Sequence, residues 1–334
     1  MDTREQQLQN WINQATDFQV SQLRMVSGDA SFRRYFRFAS SDSSIIAVDA
    51  PPTHENNEVF INVANAYRQA GIKVPEVLDY SLEQGFMLLQ DFGDHMFASA
   101  YDSDVIQSLY QKALSALPAL QSVQHTAMGE LPLFDDALLD AEFHLFNHWL
   151  IDVHLGLSLT QDTWQVIHDA QKVIRQVFLR QPQVGVHRDY HSRNLMLLGT
   201  EDNKEIGIID FQDAVIGPVT YDAVSLLRDC YIVWPETMVY ELLAQWHQQY
   251  FRHYQWQDFQ YWFDIVGIQR HIKASGIFCR LCHRDGKQGY LEDIPRTLEY
   301  IVKYAAKYPE LQAFSTVVTT QILPAMQNSL VPEV

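Results

Sequence analysis

The amino-acid sequence predicts an α+β fold in which a small β-rich lobe precedes a larger, mainly helical lobe. Short alternating or β-branched runs, with one helical stripe among them, occupy residues 22–90. From residue 103 onward the apolar spacing is mostly helical. Strands that are followed by helices, instead of alternating with them, are typical of this class. We therefore expect two lobes, residues 1–93 and 94–334, with a small antiparallel sheet and one helix in the first.

The individual elements follow from periodicity and from turn residues. In the second lobe, only the strands 195–198 and 206–209 and the polar stretch before them are expected to interrupt the helices. The predicted elements of the first lobe are, in chain order, a helix over 5–17, strands over 22–26, 31–38 and 45–49, a helix over 55–70, and a hairpin of the strands 77–80 and 86–90.

The composition indicates a globular protein and excludes several function classes. The chain has 334 residues, of which 47% are hydrophobic and 19% charged, enough for a sizeable core. A formal net charge of −17 repels nucleic acid and anionic lipid, so we expect neither as a primary partner. No signal-peptide pattern and no apolar run of about 20 residues is present. The sequence therefore predicts a cytoplasmic protein without a disulfide framework, and it leaves the oligomeric state open.

Two polar motifs in the second lobe carry the chemistry. Residues 187–194 read H-R-D-x-x-x-x-N, and the apolar strand over 206–209 ends at Asp210. Asp189 can accept the proton of an attacking hydroxyl, whereas Asn194 and Asp210 offer the hard oxygen ligands that suit Mg²⁺. A base and two metal ligands in this order are what phosphoryl transfer from Mg-ATP requires. ATP and Mg²⁺ are therefore the predicted cofactors.

The motifs resemble the aminoglycoside phosphotransferase branch of the protein-kinase-like fold. His191 fits the H-x-D-x-H-x-x-N loop of that branch, and Asp222 ends a matching G-P-V-T-Y-D segment. A closer resemblance, to the amino-sugar kinases of bacterial cell-wall recycling, rests on the segments 28–35, 49–52 and 269–287. The resemblance covers nearly the whole chain. It implies a bilobal kinase fold and phosphorylation of the anomeric hydroxyl of N-acetylmuramate or N-acetylglucosamine.

Two other functions remain open at this point. One is a kinase for an aminoglycoside, choline or another small alcohol, since the negative net charge suits a cationic substrate. The other is a nucleotide-binding pseudokinase with a regulatory role. The basic run over residues 270–287 favours an anionic sugar over a cationic acceptor. The intact Asp189, Asn194 and Asp210 argue against the pseudokinase.

The nucleotide-binding side departs from the kinase pattern. The third strand, Ile45–Asp49, lacks the lysine that grips nucleotide phosphates in kinases, so its glutamate partner cannot be assigned. Glu55 and Glu58 are candidates for that partner. Either Arg33 or Arg34, on opposite faces of the second strand, is expected to supply the missing charge. The other predicted nucleotide contacts are the turn Ser27, Gly28, Asp29, Ala30 and Ser31 and the connector residues Leu89, Gln90 and Phe92.

The remaining predicted site residues either recognise the acceptor or hold residues 187–194, which we call the catalytic loop. His187, Arg188 and His191 are expected to act mainly as scaffold. By resemblance Asp222 ties the helix that follows to the catalytic loop, although a plain helix cap is equally compatible with its position. An arginine fork suits a lactyl carboxylate such as that of N-acetylmuramate. The predicted acceptor contacts are Asp213, Arg270, Arg280 and Arg284.

Two short motifs imitate functional sites. Asp91-Phe92-Gly93 spells the kinase metal motif D-F-G, but it precedes the catalytic loop, so the metal is assigned to Asp210. Cys279 to His283 spell C-x-x-C-H, the pattern of c-type haem attachment. That attachment requires export, and a zinc site would need further ligands. These cysteines are therefore expected to be packed side chains.

Overall fold

The computed structural model describes residues 2–28, 32–40, 43–102, 104–200 and 203–329. The chain forms two compact units. The first unit comprises Met1–Leu131 and Ser192–Ala214, and the second comprises Pro132–His191 and Val215–Val334. The first unit thus includes the strand pair that follows the catalytic motif. The lobe boundary expected after residue 93 stays a prediction.

The helices have the following bounds: α1 Thr3–Ala15, α2 Asn57–Gln69, α3 Ile106–Gln121, α4 Asp136–His144, α5 Gln161–Arg180, α6 Tyr221–Leu227, α7 Glu236–Trp246, α8 Trp256–Asp285, α9 Ile294–Ala305, α10 Gln312–Val317 and α11 Leu323–Ser329. Wider π-helical turns follow α4, α7 and α10 at Leu145–His154, His247–Phe251 and Val318–Ile322. Short 3₁₀ turns lie at Phe97–Ala100, Gln288–Asp293 and Pro309–Leu311.

The strands have the following bounds: β1 Arg24–Gly28, β2 Arg34–Ala39, β3 Ser44–Asp49, β4 Val77–Ser81, β5 Phe86–Gln90, β6 His125–Thr126, β7 Gly129–Glu130, β8 Gln183–Val186, β9 Leu195–Thr200, β10 Asn203–Ile208 and β11 Val215–Pro218. All the pairs within the named strands are antiparallel. The main sheet has the order β1-β2-β3-β5-β4.

One face of the main sheet is covered by α1. Phe36 and Phe38 of β2 are buried there with Ile45, Phe86 and Leu88, against Leu8, Trp11 and Ile12 of the helix. Asp2 caps α1 by accepting a hydrogen bond from the backbone N–H of Glu5. Because side chains alternate along a strand, the odd-numbered residues of β2 lie on the opposite face. The predicted small sheet with one helix among its strands is confirmed.

The first two strands differ from their predicted bounds. A turn was expected to begin at Ser27, but β1 continues to Gly28 because a bulge between Met25 and Ser27 keeps the pairing with β2. Strand β2 begins at Arg34 instead of residue 31, and the side chain of Phe32 is 62% exposed. Phe32 therefore does not share the core face of Phe36. Asp29, Ala30 and Ser31 lie outside the described residues.

The second unit is built around α8. Residues along its whole length are buried, among them Phe263, Ile268 and Phe278. At Gly276 a Cβ atom would lie 2.3 Å from the backbone carbon of Leu145, so only glycine permits this close approach of two backbones. The helix ends at Gly286, whose φ of 71° is the left-handed conformation typical of such caps.

The strand pair β8 and β11 was missed by the sequence prediction. The two strands pair from Val186 with Val215 to Gln183 with Pro218. Four-residue strands are too short to show alternation, and Gly185, Gly217 and Pro218 weaken their strand propensity. The pair matters because β8 leads directly into His187 and the catalytic motif.

Within the described ranges, no helix combines the length and the apolar character that crossing a membrane would take.

Candidate active site

A cavity in the first unit lies on the face of the main sheet opposite α1. From β2 it is lined by Tyr35 and Arg37, so the odd-numbered face of β2 borders the cavity. The predicted connector residues Leu89, Gln90 and Phe92 also line it. The remaining lining residues are Val26, Ile46, Phe60, Pro75, Asp91, Gly93, Asn194, Met196, Ile209, Asp210 and Phe211.

Arg34 is engaged away from this cavity. Its Nη2 lies 2.6 Å from Oδ2 of the buried Asp49, and its Nη1 pairs with Asp2. Arg4 of α1 donates to the same Asp49. Arg34 thus helps to hold α1 against the sheet, and the structure does not place it among the cavity residues.

Arg33 forms a buried ion pair with a glutamate two residues before α2. Its Nη2 lies 2.9 Å from Oε2 of Glu55, and the two side chains are only 5% and 12% exposed. The guanidinium carbon lies 5.7 Å from the ring centroid of Phe60, which lines the cavity. Lys73, by contrast, is half-exposed and pairs with Glu205. Arg33 and Glu55 thus form a buried cation–carboxylate pair next to Phe60, although neither of them lines the cavity itself.

The aspartate of the Asp91-Phe92-Gly93 motif is bound by several neighbouring groups of the first unit. The carboxylate of Asp91 lies 2.5 Å from Nε of Arg37 and accepts hydrogen bonds from Ser44 Oγ and the backbone N–H of Gly93. Burial opposes the charge of Asp91, but these donors lower its pKa. Since this carboxylate already has several donors, its surroundings support assigning the metal elsewhere.

Asn194 and Asp210 lie side by side in the first unit. Nδ2 of Asn194 is 3.2 Å from Oδ2 of Asp210, and the backbone N–H of Ile209 donates to the carbonyl oxygen of Asn194. Asp210 has a φ of 65°, which is rare for a residue other than glycine and is found where structure enforces it. Such backbone strain clusters at functional sites, so this conformation supports a role for Asp210.

The donor set fits a magnesium ion that shares its ligands with phosphates. Mg²⁺ is usually held by one or two carboxylates, with waters and substrate phosphates completing the coordination. A carboxylate and a neighbouring amide meet that description. Within the described ranges no group of three or more His, Cys, Asp or Glu side chains is arranged to hold a metal by itself.

The second unit holds the catalytic loop in a strained conformation. Arg188, directly before Asp189, has a φ of 77°. Its N–H donates to Asp222 at 3.1 Å, and its carbonyl oxygen accepts from Arg270 Nη1 at 2.6 Å and from Ser225 Oγ at 3.3 Å. Both sides of this residue are therefore fixed by side chains, as a strained residue requires.

Asp222 accepts hydrogen bonds from the backbone of the loop. Its carboxylate accepts the backbone N–H of His187 at 2.8 Å and that of Arg188. Burial raises the pKa of Asp222 to about 7, although both hydrogen bonds favour the charged form. His187 is fully buried, and its Nδ1 accepts the N–H of Asp189 at 3.3 Å. His191 packs edge-on against the ring of Tyr231.

Asp189 lies among positive charges. Burial disfavours its charged form, but Lys273, His191, Arg270 and Arg188 outweigh that effect and lower the pKa of the carboxyl below its ordinary value. Asp189 is therefore ionised at neutral pH and can accept a proton.

Glu142 of α4 is a loop-supporting residue that sequence reasoning missed. It is 3% exposed, and its oxygens lie 2.9 Å from Arg188 Nη2, 3.3 Å from Lys273 Nζ and 2.6 Å from Gln269 Nε2. A single acidic residue in a helical pattern carries no sign of this role. A signal was available only indirectly: the basic residues of the run 270–287 and Arg188 implied that a buried acidic partner exists, without showing which residue it is.

The predicted acceptor contacts have different surroundings. Arg270 is used by the catalytic loop, and Arg284 pairs with Asp285 at 2.7 Å. Asp213 is exposed in the first unit, and Arg280 is half-buried in the second. The cysteines of the C-x-x-C-H motif are both unbonded thiols in α8.

Comparison with known sequences decides the family. A profile of the phosphotransferase enzyme family matches residues 22–259. The chain belongs to this phosphotransferase family. The phosphotransferase is also 40% identical over 332 residues to a protein of Pseudomonas aeruginosa named N-acetylmuramate/N-acetylglucosamine kinase, covering 93% of this chain and 94% of the relative. A Neisseria meningitidis protein of the same name is 35% identical over 318 residues, covering 92% and 93%. The predicted resemblance is confirmed.

Solved structures of low sequence identity share the fold of the phosphotransferase. A choline/ethanolamine kinase family protein from Mesorhizobium loti has a TM-score of 0.64 at 14% identity, covering 95% of this chain and 99% of that one. The ADP-bound aminoglycoside phosphotransferase APH(2'')-Ib has a TM-score of 0.60 at 13% identity, covering 91% and 99%. The predicted protein-kinase-like α+β fold is confirmed.

Removing the charge of Lys273 is expected to make activity of the phosphotransferase more sensitive to acid. Among the positive charges that lower the pKa of Asp189, Lys273 has the largest effect, so Lys273→Met should raise that pKa. A single opposite charge typically shifts a pKa by about 1 to 3 units. The acid limb of the kcat profile should therefore move to higher pH, because protonated Asp189 cannot act as a base. Lys273→Arg, which keeps the charge, should move it less.

The control for this measurement is Lys303→Met. Lys303 pairs with Glu236 on the surface of the same unit, so the variant removes a lysine without changing the surroundings of Asp189. A Lys273→Met profile that coincides with the Lys303→Met profile at every pH would show that Lys273 does not tune the base.

Proposed function

We propose that this protein is an ATP-dependent kinase that phosphorylates the anomeric hydroxyl of N-acetylmuramate and N-acetylglucosamine. The observation that carries the proposal is the 40% identity, over nearly the whole of both chains, to a relative that bears this name. The strained loop that presents an ionised Asp189 supports it, because phosphoryl transfer needs a base at the acceptor hydroxyl. A cytoplasmic location, where ATP is available, is part of the proposal.

The proposed reaction assigns each residue one task. Asp189 orients the hydroxyl and takes its proton while the hydroxyl oxygen bonds to the γ-phosphorus of ATP. The bond between that phosphorus and the β–γ bridging oxygen breaks, and ADP leaves with the electron pair. Asn194 and Asp210 would hold Mg²⁺, which supplies charge neutralisation at the phosphates. A positioned base typically contributes about 10²–10⁴-fold in rate.

Nucleotide binding is assigned to the cavity of the first unit. Leu89, Gln90 and Phe92 border it from the strand β5 and the connector, and this supports assigning the adenine contacts to them. We propose that Arg33, fixed by Glu55, supplies the charge that the absent lysine provides in kinases. Asp29, Ala30 and Ser31 keep their predicted role in phosphate binding.

The arginine proposal predicts different effects of two neighbouring substitutions. Arg33→Ala should raise the KM for ATP about 10- to 100-fold, the range expected for a lost hydrogen bond to a charged group. Arg34→Ala removes the same side chain from the next position, where it contacts Asp2 and Asp49, and should change that KM less than about threefold. Initial rates at varied ATP measure both. Equal KM values in the two variants would refute the role of Arg33.

The test of the proposed function is an ADP-release assay with Mg-ATP and a panel of acceptors. The panel holds N-acetylmuramate, N-acetylglucosamine, glucose, kanamycin and choline. The methyl glycoside of N-acetylglucosamine, whose anomeric oxygen is blocked, is the matched control. We expect turnover with the two amino sugars and none with the glycoside. Turnover of the glycoside would exclude the anomeric position, turnover of kanamycin or choline alone would favour the other kinases, and ATP binding without turnover would favour the pseudokinase.

A further inference from the structure

The lysine and arginine side chains from the middle of α8 to its end differ in whether they have a hydrogen-bond or ion-pair partner. Arg270 donates to the carbonyl oxygen of Arg188, Lys273 pairs with Glu142, and Arg284 forms two hydrogen bonds to Asp285. Arg280 has no hydrogen bond and no ion pair to any residue that the structure describes, and its Nε is buried without a partner. Arg280 therefore differs from the other three.

The environment of Arg280 favours an anion. A buried N–H group without an acceptor costs free energy, and a charged one costs more. The formal charges that act on Arg280 are those of Arg284, which repels it, and Asp285, which already forms an ion pair with Arg284. Burial and Arg284 lower the pKa of Arg280, so the site also disfavours its charge. A carboxylate that binds the guanidinium fork would relieve both costs at once.

The position of Arg280 relates it to the catalytic base through Lys273. The two residues are seven positions apart, which is two turns of α8 and places them on the same face of the helix, about 10 Å apart along its axis. Lys273 in turn acts directly on the charge of Asp189. Arg280 thus lies on the face of α8 that carries Lys273, two turns beyond the residue whose charge acts on Asp189.

Resting on the proposed function, we propose that Arg280 binds a carboxylate on the acceptor and so makes the enzyme prefer a sugar acid to the corresponding neutral sugar. N-acetylmuramate carries a lactyl carboxylate, whereas N-acetylglucosamine has a hydroxyl at the same ring position. Arg280 is then a specificity residue, and the other basic side chains of α8 serve the catalytic loop or the helix end.

The test measures kcat/KM for both sugars, at saturating ATP, in the wild type and in Arg280→Gln. We expect the ratio of N-acetylmuramate to N-acetylglucosamine to fall about 10- to 100-fold, the range for a lost hydrogen-bonded charge pair. The loss should appear in KM, because the carboxylate is bound equally before and during transfer. Arg280→Lys keeps the charge without the fork, and its ratio should lie between those of the wild type and Arg280→Gln.

Arg252→Gln is the matched control, since Arg252 is an exposed arginine of the same unit that forms no ion pair with any described residue, and its ratio should equal that of the wild type. Suppose the wild type phosphorylates both sugars. If the kcat/KM ratio is then unchanged in Arg280→Gln, or if kcat/KM falls equally for both sugars, this inference is wrong while the proposed function stands. Absence of transfer to either sugar by the wild type would overturn the proposed function and this inference with it.

Discussion

Asp189→Asn is expected to reduce kcat with the preferred amino sugar by about 10²–10⁴-fold, while the KM for ATP changes little. Asparagine has nearly the same shape, but it cannot accept the hydroxyl proton as a carboxylate does. The backbone of Arg188, directly before Asp189, is held on both sides by Asp222, Arg270 and Ser225, none of which is changed in the variant. Coupled detection of ADP release measures the rate.

Asp162→Asn is the control for Asp189→Asn. Asp162 is exposed in the first turn of α5, so it undergoes the same chemical change without contact to the catalytic loop. Thermal unfolding of both variants should show that each remains folded. A fall in kcat of less than about tenfold in a folded Asp189→Asn variant would mean that the residue is not the base.

Asp264→Leu is expected to destabilise the second unit by about 3–5 kcal/mol. Asp264 and Arg228 form an ion pair in which both side chains are completely buried, with Nη2 2.5 Å from Oδ1. The guanidinium carbon also lies 3.5 Å from the ring centroid of Tyr304 and 4.3 Å from that of Phe263. Removing the carboxylate leaves a buried charge without its counter-charge. The transition of this unit in calorimetry should fall by about 10 °C.

Two further variants separate charge from packing. In Arg228→Met combined with Asp264→Leu, both charges are replaced by apolar side chains, which is often nearly neutral, so much of the lost stability should return. Asp258→Leu makes the same substitution at an exposed position in the first turn of α8 and should cost less than about 1 kcal/mol. If the double variant unfolds at a lower temperature than Asp264→Leu, the unpaired charge is not the source of the loss.

Local patterns in the sequence were sufficient for the fold class and for the chemistry. The apolar, β-branched run predicted as a strand over 45–49 and the helical stripe predicted over 55–70 depend on neighbouring residues, and both predictions matched the structure closely. The catalytic motif and the strand before Asp210 are also short and continuous. Strands β8 and β11 were missed because four residues show no period, and their stability comes from pairing with each other across the chain.

Polar partners distant in the sequence were accessible only through the tertiary structure. The sequence identified Arg33 and Arg34 as equal candidates, but only the sheet shows that Arg34 meets Asp49 while Arg33 meets Glu55. Arg270 and Arg280 were also equal candidates in the sequence, but Arg270 donates to the distant carbonyl oxygen of Arg188, whereas Nε of Arg280 has no partner among the described residues. The roles of these residues in binding remain predictions.

The sequence by itself determined the family, the fold class and the three residues proposed for phosphoryl transfer, because motif spacing and periodicity are local properties of the chain. Only the tertiary structure decided which basic side chain pairs with which acidic side chain. A charge acts through space over a few ångströms, and folding brings Glu142 to Arg188 and Lys273 from distant parts of the sequence.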